Sequence, residues 1–142
     1  MKRNLIGILS LVVLSMLVNA TGAYAQSAVR ANVPFAFKVG AKQLPAGAYE
    51  INTANEGSVT IRNHESKTSA MTLVRQEYPR KSGAMLVFHH LGNQYFLAAI
   101  WRGAGSSGMA ITPSKQEKNL EKELKLASGQ SKVGEEIMIA LN

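Results

Sequence analysis

Two runs that are apolar on both faces, AMLVF at 84–88 and YFLAAIW at 95–101, stand on either side of Leu91-Gly92-Asn93-Gln94. A strand with no polar face to offer water must be covered on each side. Gly-Asn is a favoured pair for a tight hairpin turn. The two runs therefore predict a central β-hairpin at the heart of the core, with further structure packed above and below it.

Period-2 alternation surrounds this hairpin. Val33, Phe35, Phe37 and Val39 share one face of an extended segment, and Pro34, Ala36 and Lys38 share the other. Pro34 has no N–H to give to a ladder, so this strand is expected to lie at a sheet edge or to begin there. Pro45-Ala46-Gly47 reads as a turn into a strand at 48–53 that buries Tyr49 and Ile51. Val59 and Ile61 alternate with Ser58, Thr60 and Arg62. A strand at 68–74 sets Met71 and Leu73 against Thr72, and residues 109–112 add a short one. Ile137, Ile139 and Leu141 alternate again and suggest a last strand.

One helix interrupts the pattern at about 113–127, with Thr112 as N-cap and Pro113 at the first helical position. Leu120 and Leu124 make a narrow apolar stripe, Glu121 and Lys125 form a favourably oriented i,i+4 pair, and Gly129 supplies a stop. Such a stripe suits a helix at the sheet periphery and is too small for a membrane-surface helix. Seven or eight short strands plus one helix predict an all-β fold: a single-domain β-sandwich or partly open barrel with one peripheral C-terminal helix.

The N-terminus has a different character. Lys2 and Arg3 precede an uncharged apolar run at 5–18, and Ala23-Tyr24-Ala25 closes it with small residues around a larger one. This is the pattern of a cleavable secretory signal peptide at 1–25. The run of 14 residues is short of the roughly 20 that a spanning helix needs. Residues 26–142 then form a single β-rich domain, expected in the periplasm or outside the cell and without stable membrane insertion. The chain has no cysteine, which excludes a lipid anchor on a thiol and leaves hydrophobic burial to hold the domain together. All nine acids are Glu. The net charge is +7, and Lys2 and Arg3 belong to the leader, so the remainder carries +5. That excess is spread along the chain rather than clustered, which argues against nucleic-acid binding.

No motif in the domain carries chemistry. Gly103-Ala104-Gly105-Ser106-Ser107-Gly108 spells GxGxxG, but no βαβ unit follows it to present a helix N-terminus to a pyrophosphate. His89 and His90 are neighbours on a strand and point to opposite faces. His64 lies in a polar loop beside Glu65. Without Cys or Asp, a zinc site would need three His, or His with Glu. There is no G-x-S-x-G elbow. No catalytic residue, cofactor or metal ligand is therefore assigned. The aromatic residues Phe35, Phe37, Tyr95 and Trp101 are the candidate ligand or partner surface, with Tyr49 and Trp101 expected near the rim because a buried Tyr or Trp needs a polar partner.

Four segments are similar to a group of small exported proteins from soil bacteria: Val33-Pro34-Phe35-Ala36-Phe37, Leu44-Pro45-Ala46-Gly47-Ala48-Tyr49, Leu86-Val87-Phe88-His89, and Tyr95-Phe96-Leu97 through Ile100-Trp101. Ser114-Lys115 with Glu117 and Leu120 resembles the opening of the helix in those chains. The resemblance spans roughly residues 28–126 in the same order, and it implies an exported β-rich domain with nothing catalytic. The six residues 44–49 also resemble a turn in transthyretin-like sandwiches.

The leading functional expectation is an exported non-catalytic module that interacts with the cell envelope or an extracellular partner, with the edge at 35–39 as a strand-pairing surface. A second is a carrier of a small apolar ligand between the sheets, lined by Phe37, Tyr95 and Trp101. A third is a hydrolase or metal-binding protein, which requires His64, His89 and glutamates to converge.

Overall fold

The structure, a computed structural model, describes residues 28–55, 57–78 and 83–142; the leader expected at 1–25 and its cleavage point lie outside the described residues. In chain order the strands are β1 (Val29–Val33), β2 (Phe37–Val39), β3 (Lys42–Leu44), β4 (Gly47–Asn55), β5 (Ser58–Asn63), β6 (Thr68–Glu77), β7 (Met85–Leu91), β8 (Gln94–Trp101) and β9 (Gly108–Ile111). Helix α1 (Lys115–Ser128) and strand β10 (Glu135–Ala140) complete the chain. Among the described residues the fold is all-β with one peripheral helix.

The ladders run β1-β4-β5-β6 and continue through β9, β8 and β7 to β10. Every neighbour on that path is antiparallel. The sheet rolls up without closing. At the seam Arg30 N donates to Asn142 O at 3.3 Å, and Asn142 N donates to Arg30 O at 2.9 Å. The β2–β3 hairpin pairs in parallel with β8 at Lys38 and Phe96. Its Lys42 Nζ reaches Ser69 O on β6 at 2.5 Å.

The β7–β8 hairpin is central, as its two apolar faces predict. One face gives Leu86, Phe88, Leu97 and Ile100 to the main core, with Val33, Phe37, Tyr49, Ile51, Val59 and Ile61. The other gives Val87, Ala99 and Trp101 to a second, smaller cluster. The ladder shifts register between Val87 and Phe88, a bulge that leaves Ala98 unmatched in β8.

Five expectations are corrected. The strand across 33–39 is two strands, because β1 ends at Val33 and Pro34 has no N–H to continue the ladder. All four alternating apolar residues still face the core, but β2 is paired on both sides, so 35–39 is not an open edge. In β6 it is Ala70 and Val74 that turn to the core, while Met71 and Leu73 are each 75 % exposed. Tyr49 and Trp101 are buried rather than at the rim, each 2 % exposed. Finally, the helix N-cap is Ser114, not Thr112: its Oγ accepts from Glu117 N at 3.1 Å, which leaves Pro113 outside the helix.

Two of the three described glycines at close approaches bear on the turns and motifs above. Gly47 opens β4 at φ 151°, and a Cβ there would stand 2.6 Å from the Asn63 side-chain amide. Buried Asn63 accepts from Glu65 N and Ser66 N, which folds the β5–β6 turn. Gly108 lies under the Trp101 indole, where a Cβ would overlap the ring. The last glycine of the GxGxxG string is thus fixed by an aromatic ring rather than by a phosphate.

Candidate functional site

Three places on this scaffold combine exposure with chemistry. The first is aromatic. After Pro34 ends β1, Phe35 turns onto Tyr95, ring centroids 3.9 Å apart and 17° from parallel. Tyr95 stacks in turn on His90 at 4.3 Å and 8°. Phe35 and Phe37 both meet Phe88 edge-on, at 5.2 and 5.3 Å. Both faces of Tyr95 are therefore covered by rings of the protein itself. A hollow of about 180 Å³ beside Phe37 and Tyr95 is walled by Lys38, Gln43, Asn93 and Gln94. Lys38 Nζ donates to Gln94 Oε1 at 2.6 Å.

Of the four aromatic residues singled out from the sequence, the fold brings together Phe35, Phe37 and Tyr95. Trp101 belongs to the second cluster on the opposite face of the sheet. Phe37, Tyr95 and Trp101 do not line one cavity. Alternation across β7 and β8 would have separated them only with the register in hand, and the bulge at Ala98 shifts that register by one residue.

The second place is the groove between α1 and the β7–β10 ladder, of about 450 Å³, lined by His89, Leu91, Glu121, Val133, Glu135 and Glu136 among others. His89 points outward from β7, as alternation predicts, while His90 points in to Tyr95. His89 Nδ1 lies 3.0 Å from Glu117 Oε1. Glu117 is buried at 6 % exposure, and a carboxylate so placed needs a hydrogen-bonded partner to be tolerated. The Glu117 hydrogen bond raises the His89 pKa above its ordinary 6.5; burial opposes it, and the charges of Glu117, Glu136 and Glu121 add to the rise. The sequence reading missed Glu117. Its signal was Ser114-Lys115-Gln116-Glu117, the spacing of a capping box, although here the Glu side chain serves His89.

The third place is the outer face of β6. Ser69, Met71, Leu73, Arg75 and Glu77 follow one another along it, and across the ladder Met71 faces Thr60, Leu73 faces Ser58 and Ser69 faces Arg62. Met71, Leu73, Arg62 and Arg75 are exposed, as is Tyr78 just beyond the strand at 92 %. Single exposed apolar residues are ordinary, but two large ones side by side with cations flanking them form a surface suited to contact.

The histidines do not converge. His64 Nε2 lies 3.4 Å from Glu50, which also pairs with Arg30 at 3.8 Å, whereas His89 is held by Glu117. Among the described residues no three His, Cys, Asp or Glu side chains are grouped to hold a metal ion. No described helix is long and apolar enough to cross a membrane. The chain matches no known protein-family model, no curated protein and no solved structure.

Proposed function

We propose that the chain is an exported, non-catalytic module that attaches to the cell envelope at its anionic lipid surface, through the outer face of β6. The observation that supports this reading is the side-by-side exposure of Met71 and Leu73, 75 % each, between Arg62 and Arg75. The two apolar side chains enter the headgroup boundary and the two guanidinium groups meet lipid phosphates. The net charge of +5 left after the leader, out of +7 for the whole chain, favours approach to an anionic surface. Glu77 ends the row and limits how far the basic stretch extends.

Flotation of the purified protein with vesicles of phosphatidylglycerol and phosphatidylcholine tests this directly. Binding is expected to anionic vesicles, to weaken with salt, and to vanish on pure phosphatidylcholine. Burying the two side chains contributes about 3 kcal/mol, so Met71→Asp with Leu73→Asp lowers partition by roughly a hundredfold. Both positions are exposed, so the double variant keeps its thermal midpoint. No flotation of the parent protein, or equal flotation of the double variant, refutes the proposal.

A further inference from the structure

Helix α1 is held to the sheet by a carboxylate rather than by an apolar stripe. Glu117 is its buried residue; Leu120 and Leu124 are half-buried, and Leu126 is 76 % exposed. The helix rests on β7, the strand that carries His89. Beside this contact the groove of about 450 Å³ leaves helix and ladder apart. We propose that α1 is a pH-gated cover on the rolled sheet, latched by the Glu117–His89 pair and released when that pair loses its positive member.

The pairing accounts for the gating. With imidazolium opposite, the buried carboxylate is neutralised as well as hydrogen-bonded. With neutral imidazole only the hydrogen bond remains, and the buried charge stands uncompensated. The surroundings bias the imidazole toward its charged form. Glu121 faces it from α1, and Glu136 stands directly opposite it on β10. Glu135 and Lys132 line the same groove. Arg75 and Glu77 of β6 share with His89 a hollow of about 190 Å³ on the other side. On β8 the residue opposite is Phe96, which carries no charge, and Lys125 is engaged by Glu121 at 2.6 Å. Carboxylates outnumber cations around the ring.

The sign follows from that bias. The His89 pKa is raised in the folded state, so the latch is at full strength below the ordinary value near 6.5 and weakens as pH climbs through the raised value. Acid closes the cover and alkali loosens it. With so little of the helix buried, no apolar packing replaces the lost pair.

Because the sequence has no cysteine, two introduced thiols are the sole labelling sites. Nitroxides at Lys122→Cys on α1 and Asn32→Cys on β1, both exposed, report the spread of helix–sheet distances by double electron–electron resonance. One narrow distribution is expected at about pH 5 and a broadened, longer one at about pH 9, with the midpoint above the ordinary histidine value. In His89→Gln and in Glu117→Gln this dependence disappears, while circular dichroism confirms that the β fold persists. A distribution that does not change with pH in the parent overturns the proposal. So does a transition that survives with the same midpoint in Glu117→Gln, the variant that keeps a hydrogen-bonding partner for His89.

Discussion

Tyr49 concentrates several constraints in one side chain. Its ring packs edge-on against Phe37 at 5.1 Å, and its hydroxyl donates to Pro45 O at 2.6 Å, four residues back. The run Leu44-Pro45-Ala46-Gly47-Ala48-Tyr49 thereby becomes one folded unit. Leu44 and Tyr49 are buried at its ends, Pro45 supplies the acceptor, and Gly47 makes room for the Asn63 amide. A buried phenol without its partner would cost about 1–3 kcal/mol. Tyr49→Phe keeps the packing and removes the bond, and Pro45 is exposed enough for water to take the vacated acceptor. The expected loss is about 1 kcal/mol in urea unfolding, with an unchanged slope. A loss above about 3 kcal/mol would mean that the hydroxyl holds more than this one turn.

At the scale of elements, α1 is built to hold itself together at its ends. Ser114 caps the first turn, and Gly129 at φ 68° returns its N–H to Lys125 O in the left-handed conformation glycine adopts without strain. Glu121 and Lys125 pair along the side that borders the groove. Ser114→Ala is expected to cost about 1 kcal/mol, confined to the helix. Amide exchange in α1 should then rise about fivefold while exchange in β7 and β8 stays as it was, since helix and hairpin share little buried surface. The helix, its stop signal and its ion pair were legible from the sequence, as were both faces of the central hairpin and the inward direction of Val33, Phe37, Ile51 and Ile61. What was not legible needed the partner strand. In β6 both rows contain apolar residues, so alternation identifies a strand but not which row turns inward; the ladder to β5 decides for Ala70. Proline at 34 suggests an edge or the start of a strand, and it is instead a break between two strands, because the chain crosses there from the β4 ladder to the β8 ladder. The Glu117–His89 contact joins residues 28 apart, a distance over which no local periodicity carries information.

For the molecule as a whole, stability rests chiefly on the main core, with the smaller Val87, Ala99 and Trp101 cluster on the opposite face of the central hairpin. Phe88 is fully buried and touches both Phe35, on the segment leaving β1, and Phe37, at the start of β2. It ties the N-terminal hairpin to the central one. Phe88→Ala should cost about 3–5 kcal/mol, through lost transfer energy and the cavity left behind. Guanidinium denaturation should still show a single transition, because the same β7–β8 hairpin carries both hydrophobic clusters; two resolved transitions would show otherwise. The seam between Arg30 and Asn142 has a kinetic consequence. A polypeptide emerges from the ribosome N-terminus first, so the outer edge of β1 is among the earliest parts of the fold to appear. Its partner arrives about 110 residues later, and loop closure over that span makes such non-local pairing slow. Throughout synthesis that strand presents unpaired backbone groups to any neighbouring chain, a window in which a holding chaperone would have something to hold.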